Sequence, residues 1–485
     1  MTAAAGRSWL GFDEHGEVRD LGHLVHRTIR EDYKSIVAQL HRAYRNGRLS
    51  TKGIIETTLR ADGDLEHRKL VTSYPYEWSA GMYKEAVLFH LGLFVELKES
   101  GLTLKDALPN NILFDHTKPV FVDFLSLVQQ DKLVEEKWLA AGGYADARFA
   151  VAETMLLPYM ILPLLFMSRG QYGKARELLS TRSCNCDGAP PSWRELLDPN
   201  RAPGLGWVRS YLRSLWAAAV LHPIRAGNNK AKGEGAFNQF VEGLIRRVRS
   251  TDVTPWPSGY SAYYDEKKEA LSLSEPSTFL PKQRSVYEVL HARKPRSVLD
   301  IGANTGWFSV LAESLGASVV ALEEDEACVD ILYQRAKARA LRILPLRASF
   351  GELTTEIHGA RSLTQQYGDR GVGEVPLYRA PVDRLGAELV LALGILHHLV
   401  LGEGRSLESV FEVLHKLTER VLVLEFVSLD DEKILQEPGF FPNLGKFTQD
   451  NYNLERVAEV GRRFFTSIDL MPSHPATRSI LVLAK

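Results

Sequence analysis

The residues with the clearest chemical meaning in this chain lie in a short stretch around Asp300. An apolar run reaches Asp300 and continues into the spacing Asp-x-Gly-x-x-x-Gly, with glycines at positions 302 and 306. A buried strand that enters an acidic, glycine-bearing turn and then a helix is typical of a nucleoside-binding corner. The spacing differs from the G-x-G-x-x-G that approaches a pyrophosphate. We therefore predict a nucleoside ligand other than a dinucleotide, bound by Asp300, Gly302, Asn304 and Gly306.

A second carboxylate stands where a ribose would need it. Glu323 closes the apolar run that begins at Val319. A carboxylate at the end of a second strand can accept hydrogen bonds from both ribose hydroxyls. We predict that Glu323 has this role, with Glu324 and Asp325 as neighbouring alternatives.

Two adjacent histidines follow the run that predicts the fourth strand of the same sheet. An imidazole at the carboxyl edge of such a sheet can remove a proton from an attacking hydroxyl or amine. His397 or His398 is thus a candidate base, although either can also pack or cap without doing chemistry. Glu425 ends the fifth predicted strand and can orient a substrate or a histidine, or cap the next turn.

The order of apolar runs and helical periods predicts how these residues are positioned. Strands alternate with helices in the C-terminal half, as in a doubly wound parallel sheet covered on both faces. The last two strands are joined by a link too short for a crossover helix, so they should pair antiparallel. Glycine- and proline-rich segments place a domain boundary near residue 250, giving domains 1–250 and 251–485. The seven predicted strands are Ser297–Ile301, Ser318–Leu322, Arg342–Leu346, Glu388–Leu393, Val421–Phe426, Phe464–Leu470 and Ser479–Leu483.

The bulk properties narrow the functional classes. A chain of 485 residues with 45% apolar and 25% charged residues predicts two or three globular domains. A net charge of −1 gives no overall attraction to nucleic acid or to an anionic membrane. Three cysteines and an N-terminus without a secretory pattern favour a cytoplasmic protein. The apolar segment Val151–Met167 contains Glu153 and two prolines, so we expect a buried, kinked core helix rather than a membrane span.

The C-terminal half resembles bacterial class I methyltransferases of the group related to the nodulation protein NoeA. The resembling segments include Val298–Ser309, Leu391–Leu399 and Thr477–Ser479. The resemblance implies a seven-stranded Rossmann-like fold and transfer of a methyl group from S-adenosylmethionine to an oxygen or nitrogen of a small molecule or glycan. Such enzymes tend to carry an acidic residue for the adenine amino group after the third strand, where this chain has Ser349 as a possible substitute.

The N-terminal half contains a second set of polar residues. Asp106 and Asn111 stand five apart, and Asp123-Phe124 follows an apolar run, as the base and the two metal ligands do in protein kinases. This pattern resembles an α+β kinase-like domain and implies ATP and magnesium, with Asn111 and Asp123 as metal ligands and Asp106 as base. The first 70 residues contain no Gly-x-Gly-x-x-Gly loop, however, and Asn and Asp are also common in turns.

Two alternatives to a simple methyltransferase stay open from the sequence. One is a bifunctional protein that phosphorylates an acceptor through its N-terminal domain. The other is a binding protein whose methyltransferase fold is degenerate, for which the missing acid at Ser349 is the main support.

Overall fold

A computed structural model describes residues 8–13, 15–135, 146–181, 206, 210, 230–261, 276–357 and 378–485. The described residues group into two compact units. The first consists of residues up to Tyr76 together with Tyr83–Val253. The second consists of Glu77–Met82, Thr254–His358 and Pro376–Lys485.

The first unit contains a five-stranded antiparallel sheet with the order β1-β2-β3-β5-β4. Helix α1 (Lys34–Asn46) connects β3 to β4 and buries Val37, Leu40 and Tyr44 along one face. Two small hairpin-like sheets follow, in which β6 pairs with β9 and β7 with β8. The strands are β1 (Ser8–Asp13), β2 (Gly16–Asp20), β3 (Leu24–Ile29), β4 (Thr57–Leu59), β5 (Leu65–Arg68), β6 (Leu102–Leu104), β7 (Ile112–Asp115), β8 (Lys118–Phe121) and β9 (Leu127–Gln129).

One helix in this part of the chain, Arg148–Met167, is long and apolar enough to cross a membrane, but 94% of its most apolar window is buried within the protein. A buried core helix can have the same length and apolar composition, so the burial agrees with the prediction of a core helix. Its central segment Ala152–Ile161, which contains Pro158, forms π-helical hydrogen bonds. After α1, the helices of this part of the chain are α2 (Ala80–Glu96), α3 (Arg148–Met167), α4 (Tyr172–Thr181) and α5 (Lys230–Ser250).

The second unit is built on a seven-stranded mixed sheet with the order β12-β11-β10-β13-β14-β16-β15. The first five strands in sequence are parallel, whereas β16 is antiparallel to both β14 and β15. The predicted seven strands and the reversed final pair are therefore confirmed. The strands are β10 (Ser297–Ile301), β11 (Ser318–Glu323), β12 (Ile343–Arg347), β13 (Ala387–Ala392), β14 (Thr418–Val427), β15 (Ser467–Pro472) and β16 (Arg478–Ala484).

The central strands of this sheet are buried on both faces, as their continuous apolar sequences require. Every residue of β13 is buried. Within the same unit, Glu77 pairs with Arg384, and both side chains are almost completely buried. The helices are α6 (Pro281–Arg293), α7 (Trp307–Ser314), α8 (Glu326–Ala338), α9 (Leu407–Leu417), α10 (Glu432–Gln436) and α11 (Leu454–Gly461).

Candidate functional site

A cavity of about 690 Å³ opens at the carboxyl ends of the parallel strands in the second unit. Residues that follow β10, such as Gly302, and residues that follow β13, such as Gly394, both line it. The strand order reverses between these two neighbouring strands, and open α/β sheets bind their ligands at such a reversal. The volume lies in the range of small-molecule sites.

Glu323 lines this cavity and holds the turn after β10 in place. One carboxylate oxygen accepts the backbone N–H of Asn304 at 2.8 Å, and the other accepts those of Glu324 at 2.7 Å and Asp325 at 2.9 Å. Burial raises the pKa of Glu323. A carboxylate offers about four lone-pair positions, so acceptor capacity remains for a hydroxyl in the cavity.

The two glycines of the motif have different neighbours. Both have positive φ angles, +72° at Gly302 and +83° at Gly306, which favour glycine. Gly302 lines the cavity, and a Cβ there would overlap the side chain of Ile395, another lining residue. A Cβ on Gly306 would instead overlap Leu332 on α8. Gly306 is thus required by the packing of α7 against α8, whereas the prediction gave it a place against the ligand.

Asp300 lies behind the cavity wall rather than among the residues that line it. Its side chain is 2% exposed, and its Oδ2 accepts the hydroxyl of Ser309 on α7 at 2.6 Å. Burial raises the pKa of Asp300 to about 6, although the hydrogen bond from Ser309 acts in the opposite direction. The structure therefore shows Asp300 fixing the strand-to-helix turn through Ser309, and not in direct contact with the cavity.

Asn304 and Ser349 both line the cavity, as a role in cofactor binding requires. Asn304 has a φ of +51°, and its amide group donates to the carbonyl of Tyr260 at 3.1 Å. The hydroxyl of Ser349 donates to Glu352 at 2.9 Å. Its oxygen can still accept a hydrogen bond, such as one from an exocyclic amino group.

The two histidines, His397 and His398, also line the cavity. His397 is 3% exposed, and its Nδ1 has no hydrogen-bond partner within the described part of the chain. The two imidazole centroids lie 4.2 Å apart, and Phe441 contacts both rings. The segment His398–Gly402 that follows is a π-helical turn, a conformation frequent at functional sites.

Burial and neighbouring cations keep both imidazoles neutral. Burial, followed by the charge of His398, lowers the pKa of His397 well below its usual value. The pKa of His398 is lowered by burial and then by Lys433 and Arg478. Both rings are therefore in the neutral form that can accept a proton, but a pKa far below the usual value makes His397 the weaker base, because a general base works best with a pKa near the working pH.

Two cationic residues that the motif search did not assign to the site stand beside the histidines. Arg478 begins β16, lines the cavity and makes a bidentate ion pair with Asp431, with N–O distances of 2.8 and 2.9 Å. Burial alone would raise the pKa of Asp431, but hydrogen bonds from Arg478 and Thr477 hold it at about 2. Lys433, in α10, also lines the cavity. The family resemblance at Thr477–Ser479 was the sequence signal that could have assigned Arg478 to the site.

Glu425 occupies a different position from the one expected of a residue that orients a histidine. It is completely buried on β14, and its two oxygens bond to Lys282 Nζ and to Ser473 Oγ, each at 2.7 Å. A buried carboxylate needs such partners because an unpaired buried charge is costly. No local sequence pattern indicates the pair, because Lys282 and Glu425 are 143 residues apart.

The predicted kinase-like residues lie in three separate connections of the first unit. Asp106 follows β6 and its carboxylate accepts the hydroxyl of Ser126 at 3.2 Å. Asn111 precedes β7, and its buried Nδ2 has no hydrogen-bond partner within the described ranges. Asp123 follows β8 and forms an ion pair of 3.0 Å with Arg27 of β3. Among the described residues, no group of three or more His, Cys, Asp or Glu side chains is arranged to hold a metal ion.

Comparisons with known proteins identify one relative by sequence. No protein-family profile matches the chain. The nodulation protein NoeA of Rhizobium meliloti (strain 1021) is 25% identical over 373 residues, which cover 75% of this chain and 70% of NoeA. The resemblance to the NoeA group predicted from the sequence is confirmed.

Several solved structures are also similar to part of the chain. WbdD, described as a bifunctional kinase-methyltransferase, matches with a TM-score of 0.28 and 14% identity over 44% of this chain and 44% of WbdD. The chain thus spans less than half of the length of WbdD. A TehB-like S-adenosylmethionine-dependent methyltransferase from Corynebacterium glutamicum matches with a TM-score of 0.28 and 12% identity over 47% of this chain and 98% of that protein.

Proposed function

We propose that the second unit transfers a methyl group from S-adenosylmethionine to an oxygen or nitrogen nucleophile of a small molecule or glycan. The observation that carries the proposal is the single cavity lined at once by Gly302 and Glu323 and by the histidine pair. One space can therefore accept a nucleoside on one side and a nucleophile on the other. The acceptor class follows the expectation from the sequence, and the near-neutral chain gives no overall attraction to nucleic acid.

The residues around Glu323 fit the nucleoside part of the cofactor. Of the roughly four acceptor positions of Glu323, about one remains, which suits one ribose hydroxyl, and Ser349 Oγ can accept a hydrogen bond from the adenine amino group. Gly302 keeps a side chain out of the space beside Ile395. When bound, S-adenosylmethionine supplies an electrophilic methyl group on a sulfonium centre.

The histidines fit the part of the site where a nucleophile loses its proton. His397 offers a buried Nδ1 without a partner among the described residues, and the lowered pKa values keep both rings neutral. A hydroxyl or amine that donates to one of these rings would be held in line for attack, and the ring would accept the proton. Alignment and deprotonation are the protein's contributions to the rate.

The proposal is tested by calorimetry with S-adenosylhomocysteine. Wild-type protein should bind it, and Gly302→Arg should abolish binding because the larger side chain must occupy the cavity or displace Ile395. Glu323→Gln is a second, smaller change and should weaken binding at least tenfold by disturbing the ribose contacts and the turn. Thermal unfolding checks that each variant is folded. Wild-type protein that binds no S-adenosylhomocysteine, or a folded Gly302→Arg protein with unchanged affinity, would reject the site and favour a degenerate binding fold.

A second candidate function, nucleotide-dependent phosphotransfer by the first unit, is supported by the ion pair between Arg27 and Asp123. In protein kinases, a cation on the third strand contacts the phosphates, and the aspartate of the Asp-Phe pair binds magnesium. Arg27 lies on β3, which α1 connects to β4, and this position on a third strand supports the comparison with the kinase cation. The proposed ligands are ATP and magnesium, held by Asp123 and Asn111, with Asp106 as base.

Asp123→Ala should then abolish magnesium-dependent ATP turnover. Asp115→Ala, on the nearby hairpin, is the matched control because Asp115 pairs with Arg68 at its surface. Wild-type protein without ATP turnover, or equal turnover in both variants, would contradict phosphotransfer by this unit.

A further inference from the structure

Lys282 is a cation of the cavity lining that no motif accounts for. It lies in the first turn of α6, and its side chain is 20% exposed. Its ammonium donates to Glu425 Oε2 at 2.7 Å, and it lies 5.4 Å from the centroid of the Phe308 ring. Lys282 therefore reaches the cavity across an apolar surface with its charge at the tip.

The position of this ammonium is fixed by a carboxylate that cannot move. Glu425 is completely buried, and its second oxygen accepts the hydroxyl of Ser473, itself 6% exposed. Separating Lys282 from Glu425 would leave an uncompensated buried charge. One of the three N–H donors of Lys282 is used by Glu425, which leaves two for a ligand in the cavity.

The three cations of the cavity lining fall into two groups. Lys433 and Arg478 both lower the pKa of His398, so they stand beside the histidine pair. Lys282 instead lowers the pKa of Asp300, opposing the effect of its burial, so the ammonium stands beside the turn after β10. The acidic residues of the lining at the carboxyl end of β11 begin with Glu323, the proposed ribose ligand. Lys282 is thus placed to meet an anionic group of the ligand that occupies this turn.

We propose that Lys282 binds the α-carboxylate of the methyl donor and that Glu425 is a positioning residue that holds the ammonium toward the cavity. The proposal rests on the proposed methyl-transfer function, because it names the part of S-adenosylmethionine that meets Lys282. It also gives Glu425 a role without contact with the acceptor.

The test compares S-adenosylmethionine with decarboxylated S-adenosylmethionine, which lacks only the carboxylate. In wild-type protein, calorimetry should show that the complete cofactor binds roughly 10- to 100-fold more tightly. In Lys282→Met, this ratio should fall to within about threefold of unity, because only the complete cofactor loses a contact. Arg293→Met, which removes an exposed cation at the end of the same helix, should keep the wild-type ratio.

Two further variants separate the proposed contact from damage to the fold. Lys282→Met combined with Glu425→Gln removes both charges of the buried pair and should show the same loss of discrimination, whereas Lys282→Arg should keep it. A wild-type ratio retained in Lys282→Met or in the double variant would overturn the carboxylate assignment. Wild-type protein that binds neither ligand would overturn the proposed function itself, which is a distinct result.

Discussion

Asp300 shows at the scale of a single residue how a motif position can differ from its expected contact. The sequence identified it because an acidic residue ends the first strand before a glycine turn, and that local pattern is found in the structure. Its side chain accepts a hydrogen bond from Ser309 in the first turn of α7, and a one-dimensional pattern does not contain that information. The same holds for Lys282, whose partner Glu425 is distant in sequence.

The burial of Asp300 predicts a specific dependence of stability on pH. Its pKa is raised from 3.8 to about 6 by burial, so the folded protein binds this proton more tightly than the unfolded chain does. The contribution of Asp300 to the free energy of unfolding therefore falls as pH rises from about 4 to about 6. Above that range, the ionised and buried carboxylate makes the folded protein less stable than it is near pH 4 by on the order of 3 kcal/mol.

Asp300→Asn removes this ionisation while its amide oxygen can still accept the hydroxyl of Ser309. We expect the variant to be more stable than the wild type at about pH 8, by roughly 1 to 3 kcal/mol, and this advantage to disappear near pH 4. Urea denaturation at both pH values measures the difference. Asp469→Asn, an exposed position of the same unit, serves as the control and should show no such change. An Asp300→Asn effect that is equal at the two pH values would contradict the explanation.

At the scale of secondary-structure elements, the two glycines of the turn before α7 have different roles: one allows helix packing and the other keeps the cavity open. Gly306 begins the helix with a positive φ and lies against Leu332 of α8, whereas Gly302 lies against Ile395 at the cavity. The sequence predicted both glycines correctly as turn residues but assigned them a shared role. Helix packing decides the difference, because α8 covers one side of the turn and leaves the other side open.

Gly306→Ala should destabilise the protein by roughly 2 to 4 kcal/mol, since the added methyl group meets Leu332 and alanine is strained at this φ. Adding Leu332→Ala should remove the overlap but leave the strain. The double variant should therefore be less destabilised than the sum of the two single variants. Chemical denaturation measures all three, with Gly445→Ala as the control because a Cβ there meets no atom within 4 Å. Strictly additive effects would show that Gly306 and Leu332 are not coupled.

At the scale of the whole molecule, the C-terminal sheet was predictable and the composition of its cavity was only partly so. Apolar runs and the lengths of the connections between them are local signals. They specify seven strands, of which the first five are parallel and the last two pair antiparallel. Glu323 and the histidines could be predicted because each follows a strand at the same sheet edge. Lys282 lies on α6, before β10, and Lys433 lies on α10, between β14 and β15. Strand order gives no information about which helix side chains reach the cavity.

The N-terminal unit illustrates the opposite situation. Its sheet order β1-β2-β3-β5-β4, with α1 between β3 and β4, places Arg27 opposite Asp123. Protein kinases have a lysine on this strand, so the kinase pattern does not indicate an arginine there. A kinase-like role for this unit stays a prediction, which the ATP turnover of the Asp123→Ala variant tests.

Native mass spectrometry of the purified protein is the sharpest test of the methyl-donor site, because it detects a bound cofactor without knowledge of the acceptor. We expect a one-to-one complex with S-adenosylmethionine or with its demethylated product, either retained during purification or formed when S-adenosylmethionine is added. The Gly302→Arg protein should remain free of both. Wild-type protein that stays unbound even with added S-adenosylmethionine would contradict a methyl-donor site in the cavity.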